Sequence, residues 1–153
     1  MGVAPHGASG KWKCWMIGYV TVGTDDIGRA ERFYSAFLPS LGYGLDVSDE
    51  GLSYTLPTDP QQPFAAPDFY VKPPFNGQPA SVGNGAMVAF QVPTQAQVRA
   101  LHAAALANGG RDEGPPGFRA AYSAHFYVGY LRDPAGNKVA LYCNSPTEAR
   151  RPE

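Results

Sequence analysis

The apolar positions of this chain follow strand and helix periods in a fixed order. From Ile17 to Val22 the residues are β-branched or aromatic enough for a strand. Asp25 or Asp26 then offers an N-cap. Behind it Ile27, Ala30, Phe33, Tyr34, Phe37, Leu38 and Leu41 recur at the three-and-four spacing of a helix with one apolar face. Pro39 and Gly42 close that helix. Short strand-like runs follow at Leu45–Val47 and Leu52–Leu56, joined by the turn-forming Ser48-Asp49-Glu50-Gly51. Residues 57–67 read as a proline- and glutamine-rich loop, and Phe69-Tyr70-Val71 as a third short strand stopped by Pro73-Pro74.

A second series begins with a strand at Met87–Val92, ended by Pro93. Thr94-Gln95-Ala96-Gln97 is a capping box. Val98, Leu101, Ala105 and Leu106 supply the buried face of the next helix, and Asn108-Gly109-Gly110 terminates it. Loop 111–121 leads to a strand at His125–Leu131. Asp133-Pro134-Ala135-Gly136-Asn137 has the residues of a tight turn, and Val139–Cys143 completes a hairpin.

The second series echoes the first. A shift of about 68 positions brings Tyr19 onto Met87, Phe33 onto Leu101, Leu38 onto Leu106 and Gly42 onto Gly110 without a gap. Such a repeat means two copies of one supersecondary unit, each with an apolar face it cannot bury alone. The predicted fold is therefore α+β, with two tandem βαβββ units forming a curved mixed sheet around a cleft. The predicted organisation is a flexible leader at 1–14, one domain at 15–145 and a tail at 146–153. Within that domain the units run about 16–76 and 84–145.

Composition narrows the partners. The chain has 153 residues, 44% hydrophobic and 16% charged, which suits one packed domain. A net charge of −1 leaves no basic stripe, which argues against nucleic acid as a partner. No stretch approaches the roughly 20 apolar residues that span a membrane. Lys11, Lys13 and Trp15-Met16-Ile17 faintly resemble a signal segment, but Gly18, Tyr19 and Thr21 break it. The expectation is a soluble, cytoplasmic protein. Cys14 and Cys143 are not spaced for zinc or redox work, and whether they pair with each other is left open.

Three segments carry a family resemblance. They are the opening strand with Asp25-Asp26 and Arg29-Ala30-Glu31-Arg32-Phe33-Tyr34, the Gly83-Asn84-Gly85 lead into Met87-Val88-Ala89-Phe90, and Leu131-Arg132-Asp133-Pro134-Ala135-Gly136-Asn137-Lys138. From Met16 to Cys143 the chain resembles the vicinal oxygen chelate superfamily, the glyoxalase, bleomycin-resistance and dioxygenase-like group. The resemblance implies a homodimer. It also implies, in members with a metal, His or Glu ligands on the first and last strand of each unit.

At those positions this sequence has Tyr19, Met87 and Ala140, with a fourth near Lys72, give or take two residues. No Asp or Glu occurs between Asp68 and Asp112, so only Asp68 is available there. A Lewis-acidic metal needs three or four converging N, O or S donors. The expectation is an emptied metal site and no cofactor.

Strand alternation sorts the remaining candidates. It turns Ile17, Tyr19, Thr21, Met87, Ala89, Gln91, Lys138, Ala140 and Tyr142 toward the cleft. It also assigns His125, Tyr127 and Gly129 to the cleft and Phe126, Val128 and Tyr130 to the core. Tyr19, Thr21, Tyr54, Phe69, Met87, Gln91, Lys138 and Tyr142 are the expected ligand-binding set, and the partner is a small aromatic or amphipathic molecule. The scarcity of carboxylates argues against a cationic drug.

Two alternatives remain open. One is a metal-independent isomerase or lyase with His125 and Tyr127 as catalytic residues. The other is a metal-dependent enzyme of the lactoylglutathione lyase or dioxygenase type. His125 has a plainer reading as a strand-end histidine hydrogen-bonded to a loop. His102 reads as a surface or packing residue, and His6 lies in the leader.

Overall fold

The computed structural model describes residues 17–58, 60 and 67–152. The leader, with His6 and Cys14, lies outside them, as does most of the 57–67 loop. The described chain runs β1 (Tyr19–Gly23), α1 (Ile27–Tyr34), a short 3-10 turn (Pro39–Leu41), β2 (Gly44–Ser48), β3 (Gly51–Thr55) and β4 (Asp68–Lys72). It continues with β5 (Val88–Gln91), α2 (Gln95–Ala107), β6 (Arg111–Phe118), β7 (Tyr127–Arg132) and β8 (Lys138–Cys143). The strands form two sheets in the same order, β1-β4-β3-β2 and β5-β8-β7-β6. In each, the first strand pairs parallel to the last and the other pairs are antiparallel. This is the two-unit α+β plan that the repeat predicts.

Local chemistry explains the elements. Asp26 caps α1 by accepting from the Arg29 amide at 2.9 Å. Asp25 instead accepts from the Ala80 amide at 2.7 Å, tying the long loop before β5 to the end of β1. Thr94 caps α2 through the Gln97 amide at 3.1 Å. The α-helix of the first unit stops at Tyr34, before the apolar spacing ends: the Ala36 and Phe37 amides turn to the carbonyls three residues back, and Pro39 has no amide hydrogen to resume the ladder. Phe37 and Leu38 are nevertheless fully buried from the turns that follow.

The repeat-matched glycines do different work. Gly42 ends its segment with a left-handed φ of 92°. In the second unit Gly109 takes that conformation, with φ of 98°. Gly110 is instead a contact point, where an added Cβ would lie 2.6 Å from the Phe33 ring of the first unit.

The segment 111–121, expected as a loop, is mostly strand. Its Gly-Pro-Pro-Gly sequence hid β6, which pairs with β7 through two register shifts. Prolines are tolerated there because β6 is an edge strand that needs a ladder on one side only.

Helix α1 packs on β3 and β4 and α2 on β6, β7 and β8, the two helices touch, and the core they cover is continuous. Phe33, Tyr34, Phe37, Tyr54 and Phe69 of the first unit form an aromatic cluster. Phe90 from β5 inserts into it, with ring centroids 5.2 Å from Phe69 and 5.7 Å from Phe37. Edge-to-face pairs of this kind add about 0.5–1.5 kcal/mol each beyond area burial.

Beside that cluster Asp133 is fully buried. Its carboxyl accepts from the Tyr34 hydroxyl at 2.7 Å, the Asn137 amide at 2.8 Å and the Asn137 side-chain amide at 2.8 Å. The same Asn137 side chain donates to the Gly23 carbonyl at 2.9 Å. The tight turn of the second unit is thus bolted to α1 and to the end of β1.

Tyr34→Phe removes one donor from a buried carboxyl group and is expected to cost about 1.5–3 kcal/mol by urea denaturation, since hydrogen bonds to charged groups fall in that range. Asp133→Ala, which removes all three acceptances, is expected to cost more. An unchanged midpoint for both would show that the bolt contributes nothing.

Burial pushes the Tyr54 phenol up to about 12, and burial together with the Asp133 charge raises Tyr34 well above its ordinary value. A phenol whose folded pKa is raised stabilises the fold fully below its unfolded value near 10, and that contribution is lost between about pH 10 and 12. Calorimetric melting temperatures are therefore expected to fall over that interval, less steeply in a Tyr34→Phe/Tyr54→Phe double variant. An equal slope in both proteins would contradict the assignment.

Candidate functional site

With the helices on one side, the other side of both sheets is left to form the candidate site. On β1 the open side carries Tyr19, 65% exposed, and Thr21, while Val20 and Val22 pack toward the helices. Through the β1–β4 ladder Tyr19 is opposite Asp68 and Thr21 opposite Tyr70. In the second sheet Ala89 is opposite Ala140 and Gln91 opposite Tyr142. Placements on β1, β5 and β8 thus follow the alternation deduced from sequence.

The first-unit patch is aromatic and charged. The Tyr19 and Tyr70 rings lie 5.5 Å apart, and the Lys72 ammonium stands 5.2 Å from the Tyr70 centroid. Tyr70 donates to Asp68 at 3.1 Å, and that bond is the main reason its phenol is raised. Lys72 is neutralised by Glu50 at 2.8 Å, which holds the Glu50 carboxyl below its ordinary range. At the end of this patch Thr21, Gly23, Lys72 and Pro74 line a hollow of about 850 Å³, with the fully exposed Phe75 at its edge.

Strand β7 requires a correction. Tyr130 is paired with Ala140, and Val128 with Tyr142, so Val128, Tyr130 and Arg132 share the open side. Tyr127 and Gly129 face the helices instead. Tyr127, 8% exposed, packs on Phe118 at 5.1 Å and beneath the Arg99 guanidinium at 5.7 Å. Gly129 is small because α2 crosses it, and an added Cβ would lie 2.7 Å from the His102 ring. Its size reflects helix packing rather than ligand approach. His102 is buried there, donating from Nε2 to the Tyr130 carbonyl at 3.1 Å.

His125 follows the plainer reading. Its Nδ1 hydrogen-bonds the Glu148 carbonyl at 3.2 Å, in a tail segment held by further bonds. The Glu148 carboxylate accepts from the Gln95 amide at 2.9 Å, at the start of α2. Arg151 donates to the carbonyls of Arg119, Ala120 and Tyr122 at 2.8, 3.1 and 3.1 Å. Residues 146–151 are therefore a strap across the 119–125 segment.

Two members of the expected ligand-binding set belong to the core. Tyr54 is fully buried, with its hydroxyl 2.9 Å from Ser35 Oγ, and Phe69 is nearly so. Both lie on the helix side because their strands alternate with Ser53 and Tyr70 outward. Phe69, Met87 and Gln91 do line a second hollow, of about 590 Å³, which Val20 of β1 and Val88, Ala89 and Phe90 of β5 also border. Met87 and Lys138 also border a small recess of about 40 Å³ beside Val22 and Asn137. Thr21, Met87, Gln91 and Lys138 are thus spread over three hollows.

Tyr70, Tyr130 and Arg119 of the open side were missed. Tyr70 was legible, since it alternates with Phe69 and Val71. Tyr130 was lost with the phase of β7, and Arg119 follows a Gly-Pro-Pro-Gly stretch without a periodic signal.

The ladders narrow the positions that the resemblance marks for metal ligands. They equate Ala140 with Tyr70, so the set is Tyr19, Tyr70, Met87 and Ala140. Ala140 is 1% exposed and offers only a methyl group. Tyr70 already donates to Asp68, and methionine sulfur is a poor ligand for a hard cation. Among the described residues no group of three or more His, Cys, Asp or Glu side chains is placed to hold a metal ion. No helix of the described residues is long and apolar enough to cross a membrane.

Comparison with known proteins agrees with this architecture. Residues 16–141 match the Glyoxalase/Bleomycin resistance protein/Dioxygenase superfamily. A glyoxalase/bleomycin resistance protein from Albidiferax ferrireducens T118 is 38% identical, with a TM-score of 0.72 over 86% of this chain and 100% of its own. A glyoxalase-related enzyme from Fulvimarina pelagi is 19% identical, with a TM-score of 0.62 over 86% of this chain and 89% of its own. Lactoylglutathione lyase from Agrobacterium tumefaciens is 21% identical, with a TM-score of 0.52 over 86% and 95%. These last two share the fold alone. No curated protein sequence matches. With the fold, the repeat and the matched residues in agreement, the chain belongs to the glyoxalase/bleomycin resistance protein/dioxygenase superfamily.

Proposed function

We propose that this protein binds a small aromatic or amphipathic molecule on the open side of its two sheets, without a metal. The observation that carries the reading is the side-chain set there. Tyr19, Tyr70, Met87 and Ala140 stand where the family places ligands, and aromatic rings with cations over them occupy the surrounding face. Rings on both sheets offer stacking surfaces, Tyr19 with Tyr70 on one and Tyr142 with Phe126 on the other. Such surfaces recognise flat apolar groups, with polar neighbours setting orientation.

The alternative of acid–base chemistry by His125 and Tyr127 has less support. Tyr127 is packed under α2, and His125 is engaged by the tail. The proposal includes a homodimer in the cytoplasm. Family membership supports the dimer, and so do the large apolar side chains of Ile17, Tyr19 and Met87, left exposed at the starts of β1 and β5. Cys143 is a buried free thiol donating to the Pro93 carbonyl, as suits a reducing compartment.

A thermal-shift screen of naphthyl and indolyl compounds, run before and after dialysis against EDTA, tests the reading. At least one compound is expected to stabilise the protein equally in both states. Tyr19→Ala is expected to weaken its binding by roughly 0.5–1.5 kcal/mol, the worth of an aromatic pair. Stabilisation that appears only with added nickel or zinc would contradict the reading, as would no response to any compound.

A further inference from the structure

The cations of the open side differ in how they are balanced. Lys72 is paired with Glu50 at 2.8 Å, and Arg132 with Glu113 at 2.8 Å. Among the described residues Lys138 and Arg119 form no ion pair with a carboxylate. Both instead stand against one ring. The Lys138 ammonium is 5.0 Å from the Tyr130 centroid, and the Arg119 guanidinium carbon is 5.4 Å from it.

The neighbours of Tyr130 leave room for this arrangement. Its ladder partners are Ala140 and Gly114, a methyl group and no side chain at all. An added Cβ at Gly114 would lie 3.1 Å from the Tyr130 ring and 3.3 Å from the Arg119 guanidinium. Glycine is what lets the guanidinium lie against the ring. Glu113 is the nearby acid and feels the Lys138 charge, but its own carboxylate is engaged by Arg132.

Arg119 is also held in place. Its guanidinium donates to the Pro115 carbonyl at 2.8 Å and the Phe118 carbonyl at 3.2 Å. Its main-chain carbonyl is clamped by Arg151, which also binds Ala120 and Tyr122. Two like charges held against one ring repel, and a nearby anion offsets that cost. Beside them the Phe126 and Tyr142 rings are stacked at 5.3 Å, next to Tyr122.

We infer that Arg119 and Lys138, flanking Tyr130, form the anion-binding end of the ligand site, and that the ligand is an aromatic acid whose carboxylate they receive. The inference rests on the small-molecule reading above and adds the ligand's charge and the residues that select it. A carboxylate meets the guanidinium through charge-assisted hydrogen bonds and the ammonium as a point charge. The aromatic body then lies toward the Phe126–Tyr142 stack.

Calorimetric titration of the whole protein with naphthalene-2-carboxylate and with the neutral naphthalene-2-carboxamide tests this. The acid is expected to bind about 10-fold tighter than the amide at low salt. That preference is expected to shrink as salt screens the pair. Lys138→Gln and Arg119→Gln, each confirmed folded by circular dichroism, are expected to bring the acid down to the level of the amide. Equal binding of the two compounds by the wild type overturns the charge assignment and leaves the small-molecule reading standing. So does an acid preference that survives both substitutions. If neither compound binds the wild type, both readings fall.

Discussion

One buried carboxyl group holds this protein's two halves in register. Asp133 receives the Tyr34 hydroxyl from the first unit's helix and two donors of its own turn, and Asn137 reaches on to the Gly23 carbonyl. Burying an unsatisfied carboxyl group would cost several kcal/mol, so the fold is stable only when both units present their donors together. The aromatic cluster needs the same arrangement, because Phe90 fills its place between Phe37 and Phe69 only if β5 lies beside the first unit. Polar bolt and apolar core therefore specify a single relative placement of the sheets.

That placement decides where chemistry is possible. Both helices are spent on the buried side, so the opposite side is left to residues in alternate strand positions. Side chains that are far apart in sequence, such as Tyr19 and Tyr70 or Lys138, Tyr130 and Arg119, meet there. A tail strap through Glu148 and Arg151 fastens the 119–125 segment over part of that side. The strap gives His125 a structural role and fixes the position of Arg119.

Much of the fold was legible because helix and strand periods do not depend on distant partners. The N-caps at Asp26 and Thr94, the repeat and the Asp133–Asn137 turn were all visible in local residue choice. Features set by long-range packing were not. Gly129 looked like an opening for a ligand but answers to His102 of α2, and this reversed the phase of β7. The prolines of β6 read as loop because edge-strand tolerance depends on having a partner on one side only. Tyr54 and Phe69 were aromatic candidates whose burial depends on Tyr34 and Phe90 across the core. Which face the candidate residues of β1, β5 and β8 take was legible from strand alternation, and the faces of β6 and β7 were not.

The account's central claim is that ligand binding belongs to the open side of the sheets. An amide NMR titration with naphthalene-2-carboxylate tests it most directly. The predicted result is a set of shift changes along Tyr19–Gly23, Asp68–Lys72, Val88–Gln91 and Tyr127–Cys143, greatest near Tyr130 and Lys138, with α1 and α2 unaffected. Changes confined to the helices and the loops beyond them would contradict it.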